Sequence, residues 1–316
     1  MIQPNIYIEQ AVKLENSKSV FEYLSNDIRI QRYEKISELY EKAGNICKIS
    51  NKELAIEYFI KAYNYLVNLD SDDYKLKRLL SELSELYLKI NYVKSIECLE
   101  KILNWYTIKG DISNVIKTKK SIGDIYFDNN CFKEAYLVYV DVLEIINLND
   151  KCIDIKRNVV EKISEIYYNN ESIINLLELS KLYFIMADYY IKKNIVFLSA
   201  RNFILGGLLM NLAMDDIVQA NNNYEMYSSK DNTFQSSREG IFVSKIINSV
   251  DTNDYDEISF LCAEYDKVKP LDKIQVKLLI KIKENIGFID LVNDNVNINN
   301  VNVNTNNDDE IEDDLC

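Results

Sequence analysis

Apolar side chains recur along this chain with the spacing of amphipathic α-helices. Phe132, Tyr136, Tyr139 and Leu143 follow one another at intervals of four, three and four residues, which places them on one face of a helix. Similar apolar stripes, separated by short polar breaks, predict fourteen helices. Their predicted bounds are 5–20, 29–49, 51–69, 72–90, 92–107, 112–128, 131–147, 152–168, 171–191, 195–213, 215–227, 237–251, 254–267 and 270–286.

A short motif recurs on every second helix in the first half of the chain. An acidic residue, then Leu or Ile, then Tyr occupies 38–40, 85–87, 124–126 and 165–167, so the tyrosines are 47, 39 and 41 residues apart. A helix–turn–helix unit of about 40 residues resembles a long tetratricopeptide-type repeat. Because such hairpins bury their apolar stripes only by stacking, the sequence predicts an all-α, TPR-like right-handed solenoid.

The repeat pattern loses its period near residue 210. We therefore expect the solenoid over 1–210, a C-terminal helical bundle over 211–291 and a disordered tail over 292–316. The tail contains nine Asn between 293 and 307 and six acidic residues between 308 and 314. This composition cannot bury enough apolar surface to fold alone.

Composition supports helices joined by polar turns. The 316 residues include 7 Gly and 2 Pro, and β-sandwiches or α/β enzymes of this size need many more Gly and Pro turns. The net charge of −13 argues against duplex nucleic acid as a partner. We expect no secretory leader and no membrane span, since no basic and apolar leader pattern and no run of about 18 apolar residues occurs.

Residues that usually carry chemistry are scarce. The sequence has no His, which removes Ser-His and Cys-His nucleophile pairs and His-based metal sites. Gly-rich phosphate loops are also missing, so we expect no catalytic residue, no metal and no cofactor. The six Cys form no CxxC pair and predict reduced, packed thiols in the cytosol. They are Cys47, Cys98, Cys131, Cys152, Cys262 and Cys316.

Four stretches in order resemble one known family. They are SARNF at 199–203, YEMYSSKDNTFQSSRE at 224–239, YDKVKPLDKIQVKLLIKIKENI at 265–286 and the end EDDLC at 312–316. Together, behind a helical repeat array, they resemble the alpha-type soluble NSF attachment proteins, or alpha-SNAPs. The similarity runs over roughly 15–291 and the last few residues.

The resemblance implies an adaptor without a catalytic site. Members of this family coat the four-helix SNARE bundle, which includes a syntaxin-type helix, after membrane fusion. They recruit the AAA ATPase N-ethylmaleimide-sensitive factor, which pulls the bundle apart. We therefore expect a cytoplasmic protein that is peripheral on the cytosolic face of membranes.

The resemblance also implies a SNARE-binding face made by cations of successive repeats, because SNARE bundles are acidic outside. The family's basic positions fall on Lys117, Arg157 and Arg201, which are 40 and 44 residues apart, and Lys120 is close enough to join them. The alternative is that these cations only solubilise the surface. Asp111 and Glu161 stand where the family usually has a cation.

A membrane contact is implied between the first two predicted helices. Phe21, Tyr23 and Leu24 fall where the family has an apolar loop. Their insertion into the lipid interface would stabilise membrane binding by, at most, roughly a few kcal/mol. The alternative is that Phe21 and Leu24 staple one helix to the next.

A third implied surface binds the ATPase. An acidic run steers association and suits a flexible tether, while the penultimate leucine inserts into an apolar pocket. The residues implied are Arg238, Glu239, Asp251, Asp313, Asp314 and Leu315. Ser236 or Ser237 is expected to cap the helix that begins this region.

Two other functions stay open from the residues alone. A generic TPR-like scaffold would bind another helical or peptide client. An enzyme that uses two carboxylates is disfavoured, because a solenoid offers no compact cleft.

Overall fold

The computed structural model describes residues 4–17, 26–67, 69, 73–149, 152–193 and 197–287. Within these ranges the regular elements are all α-helices, and no β-strand occurs there. The helices are α1 (Pro4–Asn16), α2 (Asn26–Ser50), α3 (Lys52–Val67), α4 (Asp73–Leu88), α5 (Tyr92–Ile108), α6 (Ile112–Asp128), α7 (Phe132–Asn149), α8 (Ile153–Asn169), α9 (Leu176–Lys193), α10 (Phe197–Ala213), α11 (Ile217–Lys230), α12 (Arg238–Asp251), α13 (Tyr255–Val268) and α14 (273–287).

The predicted all-α fold is confirmed over the described residues, and most helix bounds agree within a few positions. The prediction was wrong at the start of α9, which begins at Leu176 rather than at 171. Asn170 turns the chain there, because its Oδ1 accepts a hydrogen bond from the backbone N of Ser172 at 3.1 Å. Side-chain capping of this kind competes with helix formation.

The chain divides into two compact units, Met1–Val159 and Val160–Cys316. In the first unit, α1 to α7 pack in chain order, each against the helix before it and the helix after it. Sequential stacking of antiparallel hairpins is the arrangement of tetratricopeptide-like repeats. The domain division predicted from the sequence, with its boundaries at 210 and 291, stays a prediction.

A small buried residue precedes the recurring motif and lies where the paired helices meet. Ser37 Oγ donates to the carbonyl of Ala62 on α3 at 2.9 Å. The corresponding Ser84 lies with its Oγ 2.9 Å from Ser95 Oγ on α5. The repeat therefore consists of a small contact residue followed by the acid, the aliphatic residue and Tyr, and the first of these positions sets how closely the hairpin packs.

Gly123 occupies this small position on α6. A Cβ atom there would lie 2.7 Å from Cε1 of Tyr139 on α7, whose ring is fully buried. The Tyr139 hydroxyl donates to Oδ1 of Asp124 at 2.8 Å. The ring is thus held at both its face and its hydroxyl, so it has little freedom to yield to a larger residue.

Asn and Asp supply turn conformations that glycine provides in most proteins. Asn130, Asp215 and Asn253 have φ of 59°, 61° and 55°, in the left-handed region that these two residue types tolerate best after glycine. Each lies two positions beyond the last residue of a helix, where a residue in this conformation terminates the helix. This accounts for a helical chain with 7 Gly.

Helix α10 is the core of the second unit. Its residues from 203 to 213 are all buried, and it packs against α9, α11 and α12, as expected for a helix segment that is mostly apolar all round. Gly206 and Gly207 permit a close approach to α9, because a Cβ at either position would lie 2.5 or 2.6 Å from the ring of Tyr183 or Phe184.

We predict that Gly123→Ala lowers the free energy of unfolding by about 1–2 kcal/mol. Overpacking against the held Tyr139 ring costs about 1–3 kcal/mol, and the better helix propensity of Ala offsets up to about 1 kcal/mol. The control is Gly287→Ala, since nothing lies within 4 Å of its added Cβ. Urea unfolding of both variants measures the difference, and equal stabilisation by the two changes would show that Tyr139 has room to move.

Candidate functional site

The predicted SNARE-binding cations of the first unit lie on α6 and α8. Lys117 and Arg157 are both exposed. Lys120 is half-buried and its Nζ lies 2.6 Å from Oδ2 of Asp124, the carboxylate that also accepts the Tyr139 hydroxyl. Lys120 is therefore part of the hydrogen-bond network that holds the α6–α7 hairpin, whereas Lys117 and Arg157 present their side chains to solvent.

Asp111, at a position predicted to carry a cation in the family, caps the N-terminus of α6. Its Oδ1 accepts a hydrogen bond from the backbone N of Asn114 at 3.2 Å, so it is the N-cap of α6. Hydrogen bonds from Asn114, with smaller effects of the nearby Lys77 and Lys117, hold the pKa of Asp111 below its usual value. An Asp before a helical run is a capping signal that could have been noticed in the sequence.

Arg201 lies on α10 in the second unit and contacts the loop before α12. Its Nε is 3.1 Å from Oδ2 of the buried Asp231, and its Nη2 donates to Oγ1 of Thr233. Oδ1 of Asp231 accepts from N and Oγ1 of Thr233 at 2.9 and 2.6 Å. Burial favours protonation of Asp231, but the bonds from Thr233 and the Arg201 guanidinium outweigh it and lower the pKa of this carboxyl.

Glu239 is buried in the first turn of α12, at 2% exposure. Its Oε1 lies 3.1 Å from Nζ of Lys269 and accepts the hydroxyl of Tyr265 at 3.5 Å. Lys269 also donates to Oδ1 of Asn202 on α10. Burial, with a smaller effect of the Glu239 carboxylate, raises the pKa of Tyr265. The predicted ATPase contact of Glu239 stays a prediction, and it would require this network to open.

Three of the four sequence stretches that carried the resemblance converge in the second unit, and the fourth, 312–316, lies outside the described residues. The stretch at 199–203 provides Arg201 and Asn202, which bond to the stretches at 224–239 and 265–286. We call this set the α10 polar network: Arg201, Asn202, Asp231, Thr233, Glu239, Tyr265 and Lys269. Sequence reasoning treated Arg201 and Glu239 as partner contacts and missed that each forms an ion pair inside the fold, because the paired residue lies about thirty positions away along the chain.

The outer face of α12 holds the other two described residues of the predicted ATPase surface. Arg238 and Asp251 are exposed at opposite ends of this 14-residue helix, roughly 20 Å apart at 1.5 Å per residue. Ser237 caps the helix, since its Oγ accepts a hydrogen bond from the backbone N–H of Gly240 at 3.1 Å. The N-cap is therefore Ser237 and not Ser236, the other predicted candidate. The other exposed positions on this face are Ile241, Lys245 and Asn248.

The remaining predicted site residues lie outside the described residues. They are Phe21, Tyr23 and Leu24 of the implied membrane contact and Asp313, Asp314 and Leu315 of the implied ATPase contact. Their roles stay predictions.

Two kinds of feature do not occur in the described part of the chain. No three Cys, Asp or Glu side chains lie close enough together there to hold a metal ion. None of the helices described is both long enough and apolar enough to cross a bilayer.

The fold defines the class of this protein as an all-helical repeat protein, with stacked hairpins in the first unit and the α10 polar network in the second. The sequence model of the family described as "Soluble NSF attachment protein, SNAP" matches residues 3–287. The chain belongs to this family, which confirms the resemblance found from the four stretches.

Relatives from distant organisms resemble most of the chain. The vesicular-fusion protein SEC17 of Komagataella phaffii is 26% identical over 257 residues, 81% of this chain and 86% of the relative. The alpha-soluble NSF attachment protein of Saccharomyces cerevisiae is 25% identical over 302 residues, 90% and 97% of the two chains. That of Dictyostelium discoideum is 25% identical over 256 residues, 81% and 87% of the two chains.

We predict that the Arg201–Asp231 pair stabilises the fold in a pH-dependent way. The lowered pKa of Asp231 means that its contribution is present above its unfolded pKa of about 4 and is lost as the pH falls through the lower folded value. Asp231→Asn should therefore cost about 2–3 kcal/mol at pH 7, and the difference from the unsubstituted protein should shrink below about pH 4.

Urea unfolding as a function of pH measures this effect. Arg238→Gln is the control, because its side chain is exposed, and it should change stability by less than about 0.5 kcal/mol. A difference for Asp231→Asn that does not change with pH would mean that the carboxylate charge contributes nothing.

Proposed function

We propose that this chain is an adaptor that binds assembled SNARE complexes and recruits and stimulates the AAA ATPase N-ethylmaleimide-sensitive factor, which disassembles them after membrane fusion. The family match over residues 3–287 is the observation that carries this function. Relatives named as vesicular-fusion and NSF attachment proteins support it, and the aligned region covers 86% and 97% of two of them.

An adaptor rather than an enzyme suits the chemistry of the chain. The sequence has no His. The buried carboxylates of Asp231 and Glu239 form ion pairs with Arg201 and Lys269. A generic scaffold for another helical client is the alternative function.

We place the protein on the cytosolic face of membranes as a peripheral component, with Phe21, Tyr23 and Leu24 as its predicted membrane contact.

Within the SNARE-binding face we assign the main role to Lys117 and Arg157, because both are exposed. Lys120, Arg157 and Arg201 all make contacts within the protein, so binding a client through any of them would exchange some of those contacts. The charge of the chain is compatible with this face, because residues 1–159 contain 23 Lys and Arg against 24 Asp and Glu. Local cations in this nearly neutral unit can attract an acidic bundle.

The ATPase contact would combine the exposed ends of α12 with the tail. Residues 160–316 contain 14 Lys and Arg against 26 Asp and Glu, and this negative charge would steer association with a basic partner surface. Leu315 would then dock as an apolar tip on a charged tether. The Asn-rich stretch lengthens the tether, which lowers the effective concentration of Leu315 at its pocket.

We predict that Leu315→Ala retains bridging but loses ATPase stimulation. Purified protein, an assembled SNARE bundle and the ATPase would be combined in a pull-down with and without ATP. The unsubstituted protein should bridge both partners and release SNAREs with ATP, whereas Leu315→Ala should bridge them and release poorly. Ile311→Ala, an apolar residue of the same tail, is the matched control and should behave like the unsubstituted protein.

Failure of the unsubstituted protein to bind either partner would favour the scaffold alternative. Normal release by Leu315→Ala would contradict the docking role of the tail while leaving the adaptor function intact.

We predict that Lys117→Glu with Arg157→Glu weakens SNARE-complex binding by about tenfold or more at low salt and by less at high salt, because salt screens exposed charges. Lys94→Glu with Lys133→Glu makes the same charge change on the alternate helices α5 and α7, where both lysines are exposed. Binding titrations at two salt concentrations compare the variants. Equal weakening by both pairs would show that only net charge matters and that the face lies elsewhere.

A further inference from the structure

Two aromatic rings of α5 and one of α4 surround a single lysine in the first unit. Nζ of Lys77 lies 4.6 Å from the ring centroid of Trp105, 5.0 Å from that of Tyr106 and 5.1 Å from that of Tyr74. Nζ of Lys109 is 5.8 Å from the Trp105 ring. We call these five residues the aromatic–lysine cluster.

Aliphatic side chains project beside this cluster at the turn between α5 and α6. Ile108 is 74% exposed and Ile112 is 45% exposed. Ile108 follows Trp105 by three residues, which places the two on one face of α5. Large apolar side chains exposed together at a helix end, next to aromatic rings and lysines, form a surface that is apolar at its tip and cationic at its rim.

One polar atom of the cluster, the indole N–H of Trp105, has no hydrogen-bond acceptor among the described residues. The indole Nε1 atom is buried. A buried N–H without an acceptor costs stability.

The segments that build this surface contain more cations than acids. Residues 73–78 and 100–120 together contain eight Lys and Arg and three acids, Asp73, Glu100 and Asp111. Four of these cations pair with carboxylates, which are Glu34, Glu41, Asp124 and Asp141. Lys77 and Lys101 instead lie over aromatic rings, so their charges add to the field around the cluster.

We propose that the aromatic–lysine cluster, with Ile108 and Ile112, is a contact surface for the headgroup region of an anionic bilayer. Trp and Tyr prefer the membrane–water interface, and each lysine near an anionic surface adds attraction. A protein partner fits less well, because a stable protein interface buries more than about 1,000 Å² and is depleted in Lys at its core. Lipid binding here does not depend on the adaptor function.

Trp105 makes the contact directly observable, because it is the sole Trp of the chain. The full chain would be mixed with phosphatidylcholine vesicles, with and without phosphatidylserine, in which part of the lipid carries bromine on its acyl chains near the headgroup. Bromine quenches an indole only at short range. We expect the Trp105 emission to shift to the blue and to be quenched on phosphatidylserine vesicles, and to change little on phosphatidylcholine alone.

Two variants separate the apolar and the electrostatic contributions. Ile108→Glu should lower the partition coefficient on phosphatidylserine vesicles by about tenfold, because an exposed aliphatic anchor is replaced by a charge. Lys77→Gln should lower it by about fivefold, the effect of one basic residue near an anionic surface. The matched control is Ile49→Glu at the turn between α2 and α3, since Ile49 is 97% exposed and lies at the opposite end of the hairpins.

Three results would overturn the lipid contact. The first is vesicle binding without any quenching of Trp105, which would place the membrane contact elsewhere on the chain. The second is an equal loss of binding in Ile108→Glu and Ile49→Glu. The third is a Trp105 shift caused by an assembled SNARE bundle in the absence of vesicles, with none caused by vesicles, which would assign the cluster to a protein partner.

Discussion

The burial of α10 from Phe203 to Ala213 is the constraint on which the second unit depends. Arg201 and Asn202, just before this buried stretch, are half-buried. They contact Asp231 and Lys269 of the elements that pack around the helix. One apolar helix thereby fixes the loop before α12 and the end of α13.

Periodicity was sufficient to predict the helices and their pairing, because apolar spacing is local and each hairpin packs against its neighbour in the sequence. Periodicity was not sufficient to predict the α10 polar network, since no local pattern reveals which buried carboxylate a distant cation will contact.

The sequence did contain a signal for the contacts within the hairpins, but it was missed. The residue before each recurring motif is Ser37, Ser84, Gly123 or Ser164, and a small residue at a repeated position indicates close helix packing.

The uneven distribution of charge suits a protein with two kinds of partner. The nearly neutral first unit can present local cations to acidic surfaces without repelling them as a whole. The acidic second unit and tail can be attracted to a basic surface at distances comparable with the Debye length, about 8 Å at physiological ionic strength. If the net charge of −13 were spread evenly, the first unit would repel acidic surfaces, although the chain would still attract a basic surface.

The exposed Lys117 and the aromatic–lysine cluster lie in the same unit and would both respond to salt, yet different physics governs them. The proposed binding of an acidic helical bundle through Lys117 and Arg157 would be mainly electrostatic, so it should fade as exposed charges are screened. Contact with a bilayer through Trp105 and Ile108 adds an apolar contribution, which salt does not screen. Raising the ionic strength should therefore separate the two proposed contacts, because screening weakens the electrostatic attraction progressively while the apolar contribution persists.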